Sequence, residues 1–184
     1  MKVRILFLIC FLSITCFLNA ADKPVIQIHT DNSSLIFRVA DNGRLYQSYL
    51  GKKLNHETDI SHLPQGTEAY ITHGMEDYFE PAIHILHNDG NPSLLLKYVS
   101  HETKAVSQGV NETIITLEDD KYPVTVKLHY VTYPAEDIIK TYTEISHKEK
   151  KPVVLHQYAS SMLHLNRAKY YLTEFSGDWA HEAN

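Results

Sequence analysis

The chain has 184 residues, with 17 basic and 22 acidic side chains and a formal net charge of −5. That length suits one domain with a sizeable core. The acids are scattered, with only short clusters such as Glu118-Asp119-Asp120, and no basic stripe exists to read as a nucleic-acid footprint.

Met1 to Ala20 opens with Lys2 and Arg4, continues as an apolar run from Ile5 to Leu18, and ends in Asn19-Ala20-Ala21. This is the layout of a secretory signal peptide cleaved after Ala20, which predicts a periplasmic or secreted protein. The run is shorter than the roughly 20 residues of a bilayer-spanning helix, so the alternative of a membrane anchor is disfavoured. No membrane attachment is expected after cleavage. Ser13-Ile14-Thr15-Cys16 lacks the leucine of a lipoprotein signal. Both cysteines, Cys10 and Cys16, fall in this segment, so residues 21–184 must hold together by burial without disulfides. Without Lys2 and Arg4 the basic count is 15 against 22 acids, a net charge of −7.

Beyond Ala20 the dominant hydrophobic period is two. Pro24–Thr30 is the first strand candidate. Leu35, Phe37 and Val39 then alternate with Ile36 and Arg38, Asp41-Asn42-Gly43 supplies a turn, and Arg44–Leu50 returns. Leu54–Pro81 is polar, aperiodic and too long for a simple turn, the kind of loop in which binding residues often sit. Further strands are predicted at Ala82–His87, Leu94–Lys104, Glu112–Glu118, Ile138–Ser146, Val153–Leu165 and Tyr170–Phe175. In 124–130, Val124, Val126, Leu128 and Tyr130 share one face while Thr125, Lys127 and His129 share the other, a half-buried strand. Separators such as Asn88-Asp89-Gly90-Asn91-Pro92 are turn-like. About ten strands without alternating helices predict an all-β fold of two packed antiparallel sheets.

Twelve histidines invite a metal reading. His84 and His87, three apart on a strand, point to opposite faces, and His156 and His164 are too far apart for one ion. No HxH or HExxH occurs and no cysteine is left to complete a zinc site, so no metal is expected. Glu76, Asp77 and Glu80 are the densest acids of the long loop, but a glycosidase needs two carboxyls at a fixed separation, and loop acids are usually solvated. GxSxG, P-loop and dinucleotide fingerprints are absent, so no self-sufficient active site is expected. Trp179, the single tryptophan, could stack on a sugar ring; composition alone favours a core or interdomain plug.

Four segments in order carry a resemblance. Gly43-Arg44-Leu45-Tyr46-Gln47-Ser48-Tyr49-Leu50-Gly51-Lys52-Lys53-Leu54 resembles the first hairpin and "GKKL" segment of glycoside hydrolase family 36 α-galactosidases. Glu76-Asp77-Tyr78-Phe79-Glu80-Pro81-Ala82 resembles that family's "GDFREPA", with Glu76 for Gly and Phe79 for Arg. Leu96-Lys97-Tyr98-Val99-Ser100-His101 is similar to "LRYVSH", and Ser176-Gly177-Asp178-Trp179-Ala180-His181-Glu182 to "SGAWARER". The resemblance implies a large antiparallel β-sandwich of the supersandwich, galactose mutarotase-like kind over residues 21–184. In the family this sandwich precedes a catalytic (β/α)8 barrel.

Parent enzymes of this kind remove terminal α-linked galactose from oligosaccharides with retention, through two barrel aspartates. The resemblance therefore implies a non-catalytic N-terminal domain with no catalytic residue of its own and no cofactor. Its implied partners are a galactose-containing oligosaccharide, the barrel of a full-length chain and a homo-tetramer. In tetrameric members a tryptophan of the "SGAW" segment and an aspartate of the long loop help close a neighbour's sugar pocket. Trp179 matches the first, which favours sugar contact over the plug, and Asp59 is the nearest match to the second. The loop here is shorter and lacks "AFSPNP". The alternative is a freestanding, secreted carbohydrate-binding β-sandwich module.

Overall fold

A computed structural model describes residues 23–75 and 79–165. Met1–Ala20, Glu76, Asp77, Tyr170–Phe175 and Trp179 lie outside the described residues. The described chain is nearly all β. Its strands are β1 Val25–His29, β2 Ser33–Val39, β3 Leu45–Lys52, β4 Thr67–Glu68, β5 Ile83–Leu86, β6 Leu96–Ser107, β7 Val110–Asp119, β8 Val124–Tyr133, β9 Ile138–His147 and β10 Val154–Tyr158. One short helix, α1 Glu57–Ser61, separates β3 from β4.

The strands form antiparallel sheets in the orders β1-β2-β3-β4, β6-β7-β8-β9 and β10-β5. The first sheet is carried on toward β5 by backbone bonds from Ala82 N to Ile71 O at 2.7 Å and from His73 N to Ile83 O at 3.0 Å. A single core fills the space between the layers. Ile26 and Ile28, Leu35 and Phe37, and Ile83 and Ile85 come from one side, and Ile115, Leu117, Val124, Val126, Leu128 and Tyr130 from the other. Period-two alternation produces this, because every second side chain of each strand faces the same way. The Phe37 and Tyr130 rings meet across the layers with centroids 5.1 Å apart.

Turns and strand ends follow the local chemistry. At Asp41-Asn42-Gly43 the tip is closed by Gly43 N to Ala40 O at 2.9 Å, and Gly43 takes φ 79°, which glycine adopts without a Cβ penalty. Two expectations need correction. The strand expected over Val153–Leu165 ends at Tyr158, because Ala159 N turns away to Ala82 O and Ser160 O accepts from Thr143 Oγ1. The loop Leu54–Pro81 contains α1 and β4. Ile60 is the only buried residue of α1, and its carbonyl accepts from Arg38 on the outer side of β2, where Ile36 is also buried. Gly66, at φ 85°, then passes so close to β3 that a Cβ would stand 1.9 Å from the Gln47 carbonyl oxygen.

The outer face of the second sheet is polar and tied to one carboxylate. Glu112 on β7 accepts from Tyr142 Oη at 2.6 Å and His129 Nδ1 at 2.9 Å, and Lys104 Nζ lies 3.1 Å away. The His129 and Tyr142 rings stack at 4.3 Å. The bonds from Tyr142 and His129, with Lys104 nearby, outweigh desolvation and pull the Glu112 carboxyl down from 4.5 to about 2.

Three outcomes follow. Phe37→Ala removes a ring with no exposure and should cost about 3–5 kcal/mol in urea denaturation. Ile138→Ala, at a site 52% exposed, should change stability by less than about 0.5 kcal/mol. For Glu112, a lowered folded-state pKa means stabilisation that is complete above the ordinary 4.5 and fades as pH falls toward about 2. The stability gap between the wild type and Glu112→Gln, followed by denaturation from pH 6 to pH 2.5, should therefore narrow on acidification.

Candidate functional site

Asp59, the residue implicated by resemblance, stands in the first turn of α1 beside Glu57, with its backbone N–H on His56 O at 3.0 Å. Its side chain is exposed, and its carboxylate forms no hydrogen bond or ion pair with another described residue. The helix beneath it is anchored by buried Ile60 and by the bond from Arg38, and the loop start is held by Leu54 N to Ser34 Oγ at 3.0 Å. Asp59 is thus an unengaged acid on a fixed turn, free to accept from an outside hydroxyl. Glu80, the described member of the loop acids, accepts from Gln157 Nε2 at 2.9 Å and so fastens the loop end to β10.

Buried ion pairs secure the loops around this region. Arg44 at the start of β3 meets Glu68 on β4 through two hydrogen bonds, one from Nε at 2.8 Å and one from Nη2, with both residues buried. The Glu68 carbonyl also bonds His164 Nε2 at 2.7 Å, and His164 N donates to Gln47 Oε1 at 3.1 Å. The stretch after β10 is therefore laid across β3 and β4. A second pair joins His87 Nδ1 to Glu149 at 2.7 Å, with side-chain exposures of 0% and 2%. His87 Nε2 faces the Ser93 carbonyl at 3.1 Å, so both ring nitrogens are engaged. Burial would raise the Glu149 carboxyl, but the bonds from His87 and Asn88 bring it below its ordinary value.

A cavity of about 210 Å³ is lined by Met75, Leu94, Leu95, Asp119, Asp120 and Tyr122 among others. Its two acids are already engaged. Asp119 accepts from the backbone N–H groups of Leu95, Lys121 and Tyr122, and Asp120 pairs with Lys97. Glu112 is committed in the same manner.

His84 and His87 have separate surroundings, as their odd spacing predicts: His84 stacks on His73, and His87 stacks on Tyr122. Among the described residues no group of three His, Cys, Asp or Glu side chains is placed to share a metal ion. What the sequence reading missed is that His73, His84 and His156 lie together, with centroids 3.7 Å and 4.8 Å apart. His84 and His156 are brought together by β5–β10 pairing, and no local spacing rule reports a contact so distant in the chain.

Three comparisons bear on identity. Comparison with curated protein sequences yields no significant match. Among solved structures, an α-galactosidase from Lactobacillus brevis superimposes with a TM-score of 0.72 at 21% identity, over 88% of this chain and 26% of that one. The galactosidase domain of an α-galactosidase-sucrose kinase gives 0.67 at 20% identity, over 74% and 24%. An α-galactosidase from Geobacillus stearothermophilus in complex with raffinose gives 0.66 at 17% identity, also over 74% and 24%. At such identities the likeness is one of fold, and the chain spans about a quarter of each relative's length. The family profile described as the glycosyl hydrolase family 36 N-terminal domain matches residues 38–184. With four fifths of its length matched by that profile, the chain belongs to the glycosyl hydrolase family 36 N-terminal domain family.

Proposed function

We propose that this chain is the non-catalytic N-terminal sandwich of an exported, retaining α-galactosidase whose reacting carboxylates lie in a (β/α)8 barrel on further polypeptide. The observation that carries this reading is the family match over residues 38–184, on a fold shared with α-galactosidases of which it covers a quarter. The engagement of Glu112, Asp119, Asp120, Glu149 and Glu68 in internal hydrogen bonds supports a scaffold role. In this reading the substrates are α-galactosides of the raffinose kind, the compound bound by one structural relative. The sandwich supports the barrel and the subunit contacts of a homo-tetramer. Trp179 stacks on the sugar, and exposed Asp59 accepts from a sugar hydroxyl in the neighbouring subunit's pocket. Residues 1–20 direct the protein to the periplasm or the exterior.

The test is direct. The purified chain should not hydrolyse an aryl α-galactoside above the buffer rate; turnover at enzyme-like rates would place catalysis within these residues and overturn the reading. By isothermal titration the isolated chain should bind raffinose no tighter than millimolar, because most of the pocket is supplied elsewhere. Micromolar binding abolished by Trp179→Ala would instead establish a freestanding sugar-binding module. In a full-length enzyme, Asp59→Asn should raise KM for raffinose several-fold while leaving kcat within about twofold, the pattern of lost substrate binding.

A further inference from the structure

Three histidines from three places in the chain form one stack. His73 donates its backbone N–H to Ile83 O of β5, His84 lies within β5, and His156 lies on β10 at the bulge between Leu155 and Gln157. The His73 and His84 rings are almost parallel, at 3.7 Å and 11°, and His156 closes on the other side of His84 at 4.8 Å and 35°. His73 Nδ1 is buried and has no hydrogen-bond partner. A metal does not explain the group, because the lone pairs of near-parallel rings run side by side and do not converge on one ion. Ring-on-ring packing at this distance does suit neutral imidazoles, and two imidazolium rings there would repel.

We propose that the His73–His84–His156 stack is a proton-operated catch that fastens β10 to β5 near neutral pH and loosens it in mild acid. Beyond the ladder to β5, the strand it controls is held by Gln157 Nε2 on Glu80 and the Pro81 carbonyl and by the Ala159 N–H on Ala82 O. β10 pairs with β5 alone, in a two-stranded sheet whose ladder is interrupted at the bulge, and Val154, Leu155, His156 and Tyr158 are all exposed. β10 also leads into the stretch laid over β3 and β4 through His164. Loosening at the catch therefore acts at the root of the chain that follows.

The groups around the stack define where a pH effect can arise. From the 73–81 side, Glu80 approaches β10, but its carboxylate is engaged by the amide of Gln157, the residue paired with His84. Beyond the far end of β5, Glu149 holds His87, and its own carboxyl lies below its ordinary value, so it carries charge throughout mildly acidic pH. No other described charge is bonded to the three rings. Burial, and then the nearness of His73 and His156, lower the His84 pKa from 6.5. The sign follows: the unfolded or detached histidine takes up its proton first, so attachment is strongest above 6.5 and weakens as pH falls below it.

Amide hydrogen exchange of the whole chain at pH 7.5 and pH 5.5, corrected for intrinsic rates, reads this out. The amides of β10 and β5 should exchange severalfold faster at pH 5.5, while those of β7 and β8 stay unchanged. His84→Gln, which cannot take a proton, should abolish the difference. His156→Gln, at an exposed site that tolerates change, should reduce it even if the first variant folds poorly. An unchanged β10 rate between the two pH values in the wild type overturns the proposal. So does a wild-type-sized difference in His156→Gln together with any folded His84→Gln.

Discussion

The contact between the two inner sheet faces governs everything else in this domain. The described residues contain no cysteine, so no covalent link assists them, and cohesion comes from apolar area withdrawn from water. Each buried Ile, Leu, Val or Phe contributes about 1.5–3 kcal/mol, against a backbone entropy cost of about 1–2 kcal/mol per ordered residue. With terms so nearly balanced, the domain needs both faces complete. The Phe37–Tyr130 pair lies at their meeting point, and the strands that supply it, β2 and β8, are each flanked by partners on both edges.

Around that core, charged and polar side chains do a different task. Arg44–Glu68 and His87–Glu149 are buried pairs that tie separate segments together: the start of β3 to β4, and the turn after β5 to the β9–β10 connection. Breaking a buried ion pair by removing one partner costs about 3–5 kcal/mol, so the Arg44–Glu68 pair holds its segment firmly. Among the described residues the buried acids Glu68 and Glu112 are both committed to internal bonds of this kind.

Stability is uneven across this framework. The second sheet has four well-paired strands, with β7 and β8 at its centre, whereas β10 is joined to β5 by a short ladder with a bulge. Regions with few buried apolar contacts and exposed backbone bonds open at lower free energy than the core. The three-histidine stack sits at this weaker joint, where a change of one or two protons has the greatest leverage.

Period-two patterning in the sequence determined the all-β class, the faces of β2 and β8, and the turn at Gly43, because strand direction and turn chemistry are set by neighbouring residues. The segments from Gly43 to Leu54 and from Leu96 to His101 carried the family likeness for the same local reason. Only tertiary structure decided that β10 stops at Tyr158, that Ile60 draws a short helix out of a polar loop, and that Glu112 gathers a tyrosine, a histidine and a lysine. It alone brought His73, His84 and His156 together and set His87 against Glu149. Such contacts depend on which strands pair and how the layers close, and that is fixed by the summed burial of the whole chain.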